Sequence, residues 1–166
     1  MREIVIIAHD MRSAHNVGSL LRTADGFGAK VYLTGYTPYP ELKDDGRLPH
    51  LSAKLTRQIH KTALGAEANR KLWQHRENLE DLLEDLKDQE FEIVALEQDE
   101  YSIPLPDYLP PEKVAILLGR EVEGIEPELL KLCDKIVEIP MRGKKESFNV
   151  VEAATVALYH CRFGRD

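Results

Sequence analysis

At 166 residues, with 43% hydrophobic and 31% charged side chains, the chain carries enough apolar material for one buried core and too little length for a second. That composition excludes a disordered polypeptide, and no apolar stretch approaches the ~20 residues a membrane-spanning helix needs. The net charge of −7 argues against a polyanionic partner only until its distribution is read: eleven acids between Glu77 and Glu100 face Lys87 alone, and elsewhere 18 acids face 21 bases.

The first predicted strand, Glu3 to Ala8, is too short for the apolar part of a signal peptide, so a cytoplasmic location is expected. Asn16 stands where an N-cap belongs, ahead of a helix whose Val17, Leu20, Leu21 and Ala24 fall at i, i+3, i+4 and i+7 and which Gly26 and Gly28 can end. Lys30 to Thr34 is the second strand, and the Pro-, Gly- and Asp-rich stretch from Gly35 to Leu51 reads as an irregular loop. Lys54, Arg57 and Lys61 recur at i, i+3 and i+7, a basic stripe that suits RNA or a merely solvated helix face. A short strand is predicted at Arg70 to His75. In the helix from Glu77 to Gln89, Leu79, Leu82, Leu83 and Leu86 point inward and the acids outward.

Strands follow at Phe91 to Glu97, Lys113 to Leu118 and Lys135 to Ile139, with a second irregular loop from Gln98 to Glu112 and a helix opening at Pro127. The last helix, Val150 to Arg162, has small alanines that permit close packing. Strands alternating with helices predict an α/β domain with a mostly parallel sheet and flanking helices, one unit over residues 1–166. Cys133 and Cys161 lack a CxxC neighbour and read as buried thiols, not as a disulfide or zinc site.

Familiar nucleotide and hydrolase motifs fail. Gly26-Phe27-Gly28 lacks the third glycine of GxGxxG and ends a helix, Gly143-Lys144 lacks the rest of a P-loop, and no GxSxG elbow is present. No histidines show metal-ligand spacing, so no metal is expected. What remains is three Gly-containing segments at predicted strand ends or the helices after them, the edge of a parallel sheet where ligands bind. The first, Asn16 to Ala24, places Arg22 off the apolar stripe, with Gly18 on its face leaving room for a phosphate to approach the planar guanidinium. The second is Gly119-Arg120-Glu121-Val122-Glu123-Gly124. In the third, Ile139 to Val150, Ser147 and Asn149 converge on a helix N-terminus, Asn149 and Glu152 forming a capping-box-like start.

In this order, NxGxxxRxA, GxExxG and IPMxGxxxSxNV resemble the three motifs of the SpoU/TrmH family of RNA 2′-O-ribose methyltransferases within the SPOUT superfamily. The resemblance spans Asn16 to Ala154, with Phe148 where the family usually has leucine and Val151 where a small residue is common. It implies a C-terminal deep trefoil knot holding S-adenosylmethionine, in a pocket lined by Leu96, Leu118, Gly119, Ile139, Met141 and Phe148. It also implies a homodimer with the site near the subunit interface. Arg22 matches the family's catalytic arginine. Because guanidinium hardly ever deprotonates, its expected role is a clamp on the phosphate beside the target ribose, supported by Asn16, Glu121, Ser147 and Asn149. RNA contacts are expected from Arg22, Lys54, Arg57 and Lys61, with tRNA favoured over rRNA because no N-terminal RNA-binding extension precedes the domain. The alternatives are a non-catalytic RNA-binding or assembly module with the same fold, and a SPOUT enzyme that methylates a base nitrogen.

Overall fold

The computed structural model describes residues 1–164. Its strands are β1 Glu3–His9, β2 Lys30–Thr34, β3 Trp73–Arg76, β4 Glu92–Leu96, β5 Ile103–Pro104, β6 Lys113–Leu118 and β7 Lys135–Glu138. They form one sheet in the order β3-β2-β1-β6-β4-β7-β5, every pairing parallel. The helices are α1 Ala14–Phe27, α2 Pro49–Ala63, α3 Leu79–Asp88, α4 Pro127–Leu130 and α5 Val150–Phe163.

The central strands are continuous apolar runs because both their faces are covered. Register pairs Ile4, Ile6 and Ala8 of β1 with Val114, Ile116 and Leu118 of β6 on one face, and Val5 and Ile7 with Ala115 and Leu117 on the other. The first face packs against α1, α2 and α5. The second packs against Leu79, Leu82, Leu83 and Leu86 of α3, with Leu129 and Leu130 of α4 at its margin. Burying a leucine such as Leu20 or Leu82 completely contributes about 1.5–3 kcal/mol, so the two apolar layers dominate stability. Glu80, Asp81, Glu84, Asp85 and Asp88 remain exposed on the outer side of α3, so the acidity of the chain is concentrated on the face opposite α1 and α5.

Three expectations are corrected. The N-cap of α1 is Ser13, whose hydroxyl accepts from the Asn16 amide at 3.1 Å, so Asn16 lies inside the helix with its side chain free for other work. α2 begins at Pro49, within the stretch read as loop, and the remainder of that loop is fastened by Arg47, which donates to Asp45, Tyr39 and Pro40 while lying over the Tyr39 ring. The second loop contains the two-residue strand β5, which pairs with Val137 and Glu138. Both cysteines are free, as anticipated, but Cys133 is only half-buried. At the far end of α5, Arg162 donates to the carbonyls of Phe27 and Gly28 at 2.9 and 3.1 Å and to that of Arg2 at 2.6 Å, tying the last helix to the end of α1 and the start of β1.

Candidate active site

In the sheet order β6-β4-β7, three strands release their chains side by side at one carboxyl edge. Leu96, Leu118 and Ile139 sit at those ends, and Met141, Ser147 and Phe148 from the β7–α5 loop close over them beside Val150 and Ala153 of α5. One cleft therefore gathers all six residues expected to line a cofactor pocket, Leu96, Leu118, Gly119, Ile139, Met141 and Phe148, together with Glu121 and Ser147.

Backbone-to-backbone contact shapes the second segment. A Cβ on Gly119 would lie 2.4 Å from the carbonyl carbon of Gly124, and Arg120 and Gly124 exchange two backbone hydrogen bonds at 3.1 Å. Gly124 has φ +71°, a conformation L side chains rarely adopt, and its α-carbon faces the Glu97 carboxylate. Glu97 accepts from the amides of Ile125 at 2.9 Å and Gln98 at 2.8 Å, fastening the 119–124 turn to the end of β4. Sequence reasoning missed this residue, because one acid in an acidic stretch carries no distinguishing signal. Gln98 was missed for a similar reason, yet its amide donates to the Glu146 carbonyl at 2.6 Å and holds the β7–α5 loop.

The polar residues form a chain across all three segments. Glu121 accepts from the backbone amides of Arg12 at 3.1 Å and Ser13 at 3.0 Å and from the Asn16 side chain at 3.4 Å. Burial raises the Glu121 pKa, but the Ser13 and Arg12 amides, its own amide and Asn16 outweigh burial and hold it below the ordinary glutamate value. It is thus an occupied carboxylate that positions the start of α1, and not a base awaiting a proton. Asn16 in turn accepts from Asn149 at 3.4 Å, while Asn149 caps α5 by accepting from the Val151 amide at 2.8 Å. The expected capping role of Asn149 is met through Val151. Ser147 is exposed, and among the described residues its hydroxyl has no hydrogen-bond partner.

Arg22 stands apart. It lies six residues beyond Asn16, about 9 Å along the helix, is exposed, does not line the cleft of its own chain, and has no ion-pair or hydrogen-bond partner among the described residues. The reading that Gly18 leaves open space beside Arg22 is overturned. A Cβ at Gly18 would fall 2.2 Å from the Ile59 carbonyl oxygen, so the missing side chain lets α2 press onto α1 and opens no approach for a ligand. Lys54, Arg57 and Lys61 are exposed on α2 without ion-pair partners among the described residues, and they too lie outside the cleft.

The sequence matches the SpoU rRNA Methylase family over residues 3–159. The chain belongs to this family. SpoU methylases include RNA 2′-O-methyltransferases directed at both tRNA and rRNA. The chain is 26% identical to a tRNA (guanosine(18)-2'-O)-methyltransferase of Aquifex aeolicus, covering 99% of this chain and 71% of the relative. It is 32% identical to the 23S rRNA (guanosine-2'-O-)-methyltransferase RlmB of Acinetobacter baylyi, covering 96% of this chain but 59% of that protein. Its fold matches the crystal structure of an AdoMet-bound rRNA methyltransferase from Sinorhizobium meliloti with a TM-score of 0.77 and 23% identity, over 96% of this chain and 56% of the other.

For a SpoU methylase, the chemistry of the cleft suits a nucleoside sulfonium. Leu96, Leu118, Ile139, Met141 and Phe148 supply apolar walls, while the close approach of backbone at Gly119 and a few placed polar groups supply orientation. Phe148, which stands where the family usually has leucine, lines the cleft while remaining 44% exposed. Among the described residues no cluster of His, Cys, Asp and Glu could hold a metal ion.

Proposed function

We propose that residues 1–166 act as a single S-adenosylmethionine-dependent methyltransferase unit that methylates a ribose 2′-oxygen of RNA, tRNA before rRNA. The observation that carries this reading is the convergence of the six expected pocket residues on one cleft, with Glu121, Asn16 and Asn149 linked beside it. What supports tRNA is the likeness to a tRNA-directed relative of Aquifex aeolicus over 99% of this chain, and the assay below separates it from rRNA.

When bound, S-adenosylmethionine supplies an already activated methyl group, so the protein has to position the 2′-hydroxyl and help its proton leave. Glu121 fixes the entry to α1, Asn16 and Asn149 join that helix to the β7–α5 loop, and the unpartnered Ser147 hydroxyl is available to substrate at the rim. Arg22 clamps the adjacent phosphate. Its distance from the cleft of its own chain is accounted for by a homodimer in which α5 faces the second copy and each Arg22 serves the other chain's cleft. The exposed Val156, Tyr159 and Phe163 of α5 support that arrangement. The knotted C-terminal path, the cytoplasmic location and independence from metal belong to the same proposal.

Incubation with labelled S-adenosylmethionine and bulk tRNA or rRNA, followed by digestion to nucleosides, tests it. Label in 2′-O-methylnucleosides of tRNA is expected. Label on a base would instead establish the base-nitrogen alternative, and RNA binding without cofactor binding in calorimetry would establish a non-catalytic module. Undiminished activity in excess chelator is expected, and activity that Mg²⁺ alone restores, with RNA folding controlled, would contradict the metal-free reading.

A further inference from the structure

The β7–α5 loop has two sides. Met141, Ser147 and Phe148 line the cleft, whereas Arg142, Lys144 and Lys145 project into solvent. Three cations within four residues repel one another, and in a chain with 29 acids none of them has an ion-pair partner among the described residues. Of the acids around the cleft, Glu97 accepts from the Ile125 and Gln98 amides and Glu121 from the Arg12 and Ser13 amides, Glu138 and Glu146 form no ion pair with the loop cations among the described residues, and the acidic surface of α3 lies on the opposite face of the sheet. The loop is also anchored, through Gln98 to the Glu146 carbonyl and through Asn149 to Asn16, so its charges are presented from a defined place. Unpaired cations held at the rim of a transfer site fit a ligand that brings regularly spaced negative charge.

We propose that Arg142, Lys144 and Lys145 form a docking surface for the RNA phosphates flanking the nucleotide to be methylated. The proposal rests on the methyltransferase reading and adds to it a contact made by the loop whose other side lines the cleft. Because the same short loop touches cofactor space and RNA, phosphate docking there sets the ribose beside the cleft, while Arg22 acts on the reacting nucleotide itself. These cations therefore act on RNA capture, not on the chemical step.

The test compares the wild-type chain with Lys144→Gln/Lys145→Gln, using S-adenosylmethionine and bulk tRNA at several salt concentrations. The KM for RNA should rise at least 10-fold, kcat at saturating RNA should stay within about 2-fold, and the slope of log affinity against log salt should become shallower by about 1.5–2. Calorimetric affinity for S-adenosylmethionine should remain within about 2-fold, which excludes misfolding of the cleft. An unchanged KM and salt slope in an active protein would overturn the docking surface and leave the methyltransferase reading standing. A loss confined to kcat or to cofactor affinity would also overturn it. If the wild-type chain binds cofactor but neither binds nor methylates RNA, both readings fall together.

Discussion

Arg22 is the residue on which the proposed chemistry depends most. It is exposed, off the buried stripe of Val17, Leu20, Leu21 and Ala24, and without a partner among the described residues, so Arg22→Ala should leave folding and cofactor affinity nearly unchanged. If it holds phosphate and 2′-hydroxyl in the attack geometry, kcat should fall by 10²-fold or more, roughly 3 kcal/mol. Arg22→Lys keeps the charge but loses the planar fork, so steady-state kinetics should show a severe loss for a clamp and a mild one for simple charge attraction. Glu121 makes a different prediction. Glutamine there removes the charge and places an NH2 where one carboxylate oxygen accepts from the Arg12 amide, and Glu121→Gln should cost about 1–2 kcal/mol of stability in urea denaturation. Since its folded pKa lies below the ordinary glutamate value, the carboxylate stabilises the fold in full above that value and the contribution is lost as pH falls through the folded pKa. The stability difference between wild type and Glu121→Gln should therefore shrink in acid, and a pH-independent difference would contradict the ionised-cap role. The motif residues were legible in the sequence, but Glu97 and Gln98 were not, because their importance lies in backbone amides brought to them by the fold.

At the scale of elements, the apolar runs gave away the buried strands: β2 and β6 match the predicted bounds, and β1, β4 and β7 differ only at their ends. Strands covered on both faces have to be apolar throughout, so their composition betrays them. One element escaped, and the start of another was placed inside a loop, because little of either is buried. β5 is a two-residue edge strand containing a proline, and α2 buries only Ser52, Ile59 and Ala63, too few apolar positions to mark where it begins. The α1–α2 contact was misread for a related reason, since a glycine that admits a neighbouring backbone looks in sequence like one that admits a ligand. Gly18→Ala puts a methyl group into the Ile59 carbonyl and the Thr62 hydroxyl, so thermal denaturation should reveal a loss of about 1–3 kcal/mol from overpacking. A stability equal to wild type would mean that the two helices do not pack this closely. Gly119→Ala should be worse for function, because the atom it meets is the backbone of the turn that shapes the cleft.

For the whole molecule, the net charge of −7 is a misleading average. The sheet divides the acids of α3 from the face that carries α1, α2 and α5, and the cations of the β7–α5 loop remain unpaired among the described residues. The order of strands could not be read from the sequence, because β6 inserts between β1 and β4 and local patterning does not record which distant strands pair. The exposed Val156, Tyr159 and Phe163 on α5 predict a dimer, so sedimentation should report about twice the mass of 18.9 kDa. A catalytically active monomer would contradict that prediction and the shared-site role of Arg22. Transfer of a methyl group from S-adenosylmethionine to a ribose 2′-oxygen is read out by nucleoside analysis of RNA incubated with the purified chain and methyl-labelled cofactor. Label should be recovered in 2′-O-methylnucleosides, with at least about 10²-fold less of it per unit time for Arg22→Ala; label on a base, or no transfer to tRNA or rRNA by a chain that binds the cofactor, would rule out ribose methylation by this fold.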